Sequence, residues 1–330
     1  MAYQEVKVCR FYVDILQWYK SVGLGSCDNP IIGLNPASFV DIPLDQNNHH
    51  ASYFNFNKPL THRFSYWGLL GHTNATDQPY VNVDSGTYYM SNDFTQSEII
   101  NVNGGNDADY TFDHDGFSIM QILDSNGNVN PTELDVDIDT PLRIRMGNPI
   151  GSFTMGNIYD MPHSSDLSTL SYEYDGIKTT QSKGGSTLSN TSYNKPPDWG
   201  NAGAWQLDGN YNVRSGRRVW SLSFSYLQPK DIFPTNPSTG YMANDTTGYS
   251  STDYYYGSDP EGDFFNTNIE SGTDFFSSVW NRTINLPFIF QPDKDNNNEF
   301  AICRFDMNSL KVTQTSPSLY QISLKIRESW

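Results

Sequence analysis

Short stretches in which apolar and polar residues take turns recur along the chain, and they predict a protein built mainly of β-strands. Residues 52–57 (SYFNFN) set Phe54 and Phe56 against Tyr53 and Asn55. Residues 134–145 (LDVDIDTPLRIR) put Val136, Ile138, Leu142 and Ile144 on one side and Asp135, Asp137, Arg143 and Arg145 on the other. In residues 219–226 (VWSLSFSY), Val219 and three serines alternate with Trp220, Leu222, Phe224 and Tyr226. Successive strand side chains point to opposite faces, so each pattern describes a half-buried strand. Residues 64–70 (FSYWGLL), 170–174, 284–290, 300–304, 311–314 and 319–327 read as further strands. Clusters such as Asn103-Gly104-Gly105 and Ser125-Asn126-Gly127 supply the turns between strands. Asp293 to Asn298 reads as another turn, inside a hairpin.

One stretch carries a helical period. In residues 10–24 (RFYVDILQWYKSVGL), Phe11, Ile15, Trp18, Tyr19 and Val22 fall on one face of a 3.6-residue repeat, and Gly23 would end the helix. A strand is the alternative, because Phe, Tyr, Val, Ile and Trp also favour sheets. Alternation stops at residues 160–168, where Pro162 sits in a polar stretch, and this places a domain boundary near residue 165. The expected fold is therefore all-β: two β-sandwich or jelly-roll-like domains, 1–165 and 166–330, with one short N-terminal helix. Residues 235–274 lack apolar periodicity, and a tract of that length inside a domain is usually functional or ordered by a partner.

Composition supports this picture. Aromatic residues reach 14% and charged residues only 17%, which suits sheets joined by many turns and argues against disorder. The formal charge of −17 argues against direct nucleic-acid binding, because an acidic surface repels phosphate. Cys9, Cys27 and Cys303 have no paired spacing, as expected of buried thiols in a protein made in a reducing cytoplasm. No signal-peptide core and no 18-residue apolar run occurs, so neither export nor membrane insertion is expected.

The search for chemistry returns little. No G-x-S-x-G, H-E-x-x-H, G-x-x-x-x-G-K-[ST] or G-x-G-x-x-G motif is present, so no catalytic residue, cofactor or metal is expected. His49, His50 and His163 read as surface histidines in polar stretches. Asp135, Asp137 and Asp139 share a strand face, which reads as a solvated face with Arg143 and Arg145 available to pair, ahead of half a Ca²⁺ or glycosidase site. Asp293, Asp295, Asn297 and Glu299 alternate but lack the glycine and terminal glutamate of an EF-hand loop. Tyr254, Tyr255 and Tyr256, with Phe264, Phe265, Phe275 and Phe276, make the long tract a candidate oligomer or partner contact, or else the rings tuck the tract onto its domain.

Two groups of motifs carry a resemblance. The ordered stretches 174–200, 216–227 (GRRVWSLSFSYL), 286–293 (LPFIFQPD) and 322–330 (ISLKIRESW) resemble minor tail and distal tail proteins of tailed bacteriophages. Residues 66–74 (YWGLLGHTN) with 142–162 resemble the galactose-binding-like jelly rolls that some phage tail proteins carry. The resemblance implies a non-enzymatic virion protein of the tail tip or baseplate, assembled in the host cytoplasm. It further implies a homo-oligomeric ring, threefold or sixfold, that joins neighbouring tail proteins. Its alternative is a receptor-binding module whose N-terminal jelly roll recognises host surface glycan.

Overall fold

A computed structural model describes residues 7–34, 40–46, 49–57, 60–72, 80–83, 86–89, 97–101, 116–122, 129, 131–136, 141–145, 150–173, 178–190, 217–233, 274–296 and 300–329. The chain begins with β1 (Arg10–Asp14), α1 (Ile15–Ser21), β2 (Gly25–Cys27), β3 (Ala51–Phe56), β4 (Leu60–Phe64) and β5 (Tyr66–His72). Next come β6 (Tyr80–Val83), β7 (Gly86–Tyr89), β8 (Ser97–Asn101), β9 (Gly116–Ile122), β10 (Thr132–Val136), β11 (Leu142–Arg145) and β12 (Ser152–Asp160). Then follow β13 (Leu167–Glu173), β14 (Lys178–Gln181), β15 (Thr187–Asn190), β16 (Arg217–Leu227) and α2 (Pro229–Ile232). A π-helical turn, Phe276–Trp280, runs into α3 (Asn281–Thr283), and β17 (Phe288–Gln291), β18 (Ala301–Phe305), β19 (Val312–Ser316) and β20 (Leu319–Glu328) complete the chain.

The fold is mostly β-sheet with few helices, as the alternation implied. The largest sheet has eleven strands, in the order β13-β16-β20-β18-β17-β1-β12-β5-β9-β8, with β19 also on β20. A five-stranded sheet, β2-β3-β11-β6-β7, and two-stranded pairs β4–β10 and β14–β15 accompany it. The position expected for a domain boundary lies between β12 and β13, and strands from both sides of it share the large sheet. They meet at β1, which pairs antiparallel with β12 on one side and with β17 on the other.

All five β1 residues are buried, and their alternation feeds separate cores. Phe11 and Val13 join Trp220, Phe224, Phe288, Phe290 and Ile326. Tyr12 packs with Tyr66, Ile119, Ile289 and Phe300 on the opposite face. Ile15 and Leu16 of α1 enter a third cluster around Phe54, Trp67, Ile144 and Phe153.

Several expectations need correction. Residues 10–14 of the expected helix form a strand, and the helix starts only at Ile15, where Asp14 Oδ1 accepts the Gln17 amide at 2.9 Å. Phe11 and Ile15 fall four residues apart, so a 3.6-residue template fits across the strand and into the helix that follows it. Within the helix the expected apolar face holds, with Ile15 and Tyr19 buried and Trp18 packed against the same core, whereas Val22, the C-cap, is exposed. Gly23 does end the helix, with φ at +77° and its amide on Lys20 O.

The stretch 134–145 is two strands in different sheets, β10 on β4 and β11 between β3 and β6. Residues 64–70 are likewise divided, with Ser65 between β4 and β5. Residues 284–290 contribute a strand only from Phe288, after Asn285 adopts φ +59°. In β16, Trp220, Leu222 and Phe224 are buried as expected, but Tyr226 turns out to solvent. There φ is +62° and the register with β20 shifts between Phe224 and Leu227, so Leu227 takes the buried place.

Candidate functional site

Arg10, Tyr12 and Asp14 stand two apart on β1 and so share one face. Arg10 donates through Nε and Nη2 to the two carboxylate oxygens of Asp160, at 2.6 and 2.8 Å, and through Nη1 to Gln121 Oε1 at 3.3 Å. Gln121 Nε2 donates to the Tyr12 hydroxyl at 2.7 Å, and that hydroxyl donates to Gln291 Oε1 at 2.9 Å. Gln291 Nε2 in turn donates to the carbonyl of Asn296 at 2.9 Å. The chain of bonds links β12, β1, β9 and β17 through the middle of the large sheet. Such a fully connected network fixes register and stiffness.

Asp14 extends the stripe. The Tyr66 hydroxyl shares a 3.0 Å hydrogen bond with Thr154 Oγ1, and the Tyr66 ring meets Tyr12 edge-on at 5.1 Å. Burial pushes the Asp14 carboxyl up to about 7, although the Gln17 amide, the Thr154 hydroxyl and the amides of Leu16 and Met155 pull it down. A carboxyl poised near neutrality would suit general acid–base work. Asp14, however, is buried (3% exposed) and holds the first turn of α1. Its visible work is structural.

That assignment has a pH signature. The folded state prefers protonated Asp14, so the stability it lends is complete below the ordinary value of 3.8 and is lost as pH rises through about 7. Asp14→Asn keeps an N-cap side chain without the charge. Its unfolding free energy relative to wild type is expected to rise between pH 4 and pH 8, by an amount on the order of 4 kcal/mol at most. Urea titrations across that range check this, and a pH-independent difference would count against it.

The other candidate residues fall as follows. Tyr254, Tyr255, Tyr256, Phe264 and Phe265 lie outside the described residues, as do Asp137 and Asp139. Phe275 is buried against Phe11, Tyr159 and Phe305, so this ring packs within the fold. Tyr159 on β12 also donates to the Asp231 carbonyl at 3.2 Å. One side chain thereby holds both flanks of residues 234–273.

Arg143 pairs with Asp45 and donates to the Tyr80 hydroxyl at 2.7 Å. Arg145 lies 5.4 Å over the Tyr80 ring. Asp293 begins the turn between β17 and β18, accepting the Asp295 amide at 3.1 Å, with Lys7 Nζ 3.5 Å away. His50 Nδ1 meets the Ile42 carbonyl at 2.7 Å and His163 Nδ1 the Ser164 carbonyl at 2.8 Å, both in loops. Cys9 and Cys303 are buried, and burial pushes their thiols up, away from reactivity; Cys27 is half-buried. Among the described residues, no three His, Cys, Asp or Glu side chains gather in a way that could hold a metal ion.

A second feature lies at the end of the large sheet. β13 pairs with β16 over its whole length, from Leu167 opposite Ser223 to Glu173 opposite Arg217. Among the described residues no strand pairs on its far side. Most of its residues are exposed, with Leu167 at 74% and Tyr172 at 47%. Tyr226, at the Leu167 end of that ladder, is also exposed. The sequence reading missed this surface because a strand's residues do not show whether another strand pairs beside it.

No protein-family model, curated protein or solved structure matches the chain.

Proposed function

We propose that the protein is a structural component of a tailed-phage virion, a tail-tip or baseplate protein that assembles into a homo-oligomeric ring and joins neighbouring tail proteins. The observation that carries the assembly reading is the end of the large sheet at β13, which no further strand covers among the described residues. Natural sheets blunt such edges with lysine, proline or a bulge. β13 (LSTLSYE) contains neither residue, and its ladder with β16 runs without a register shift. The exposed Leu167 and Tyr172 add apolar area that a neighbour would cover.

The buried network through β1 supports the same reading, since a scaffold that transmits load gains from a sheet locked at its centre. Placement in a tail rests on the motif order in residues 174–330. Electron microscopy of virions carrying a tagged copy of this chain tests it. The label is expected at the tail tip, and a label on the head, or on no particle, would overturn the proposal.

A further inference from the structure

We draw no further inference here: the strongest candidate, the surface patch at the β16 bulge where Tyr226 is held at φ +62° and is 71% exposed, carries nothing because no feature among the described residues shows what covers it.

Discussion

Gly156→Ala is expected to destabilise the protein by about 3 kcal/mol or more, at the top of the range for overpacking. Gly156 lies on β12 opposite Asp14, where β1 turns into α1. A methyl group there would sit 1.9 Å from the Val13 carbonyl oxygen and 2.9 Å from the Ile15 amide nitrogen. Both are backbone atoms at the junction of β1 with α1, so relief requires the end of β1 to leave β12. The shift would also disturb the Asp14 cap and the Arg10–Asp160 pair four residues along the same ladder. In urea the variant should unfold at a lower midpoint with an unchanged slope. Gly184→Ala is the control: its nearest neighbour would be Ser182 Oγ at 3.9 Å, and a change within about 0.5 kcal/mol is expected. Equal behaviour of the two variants would refute the close approach at Gly156.

Arg218→Met is expected to cost about 3–5 kcal/mol, the usual penalty for leaving a buried charge without its partner. Glu328 is almost wholly buried, and its Oε1 receives Arg218 Nη2 at 2.9 Å while its Oε2 receives the Arg218 amide at 2.9 Å. Arg218 Nη2 also donates to the Phe300 carbonyl at 3.2 Å, and the guanidinium lies 5.2 Å over the Trp220 ring. Replacing both partners, Arg218→Met with Glu328→Leu, should recover much of the loss, because the pair's attraction mainly offsets its own desolvation. A double-mutant cycle reads the difference. Additive losses would mean that the two residues act independently.

The strands with period-two sequences were readable because burial on one face writes itself into the chain. In β16, Trp220, Leu222 and Phe224 were placed correctly on the core side, and Tyr226 was not. Its reversal comes from a bulge against β20, a pairing between segments about a hundred residues apart. β1 was misread for a related reason. In RFYVD both faces are buried, so its alternation separates two buried faces instead of core from solvent. Arg10, Tyr12 and Asp14 do alternate with Phe11 and Val13, and that polar stripe was the available sign of a strand. Its partners Gln121 and Gln291 carry no local signal, lying 111 and 279 residues away from Arg10 and Tyr12, respectively.

The assembly surface was still less visible. Clustered aromatics drew attention to Tyr254–Tyr256, Phe264 and Phe265, whereas the surface that now carries the reading is a serine-rich strand, β13. Its meaning comes from its position at the end of a sheet, which composition does not encode.

The central claim, that this chain is an assembling structural component, is tested most directly by the mass of the purified full-length protein in solution. Light scattering coupled to size exclusion should give a discrete closed species, threefold or sixfold the 37.3 kDa of one chain. A single species at 37.3 kDa, unchanged with increasing concentration, would contradict the account.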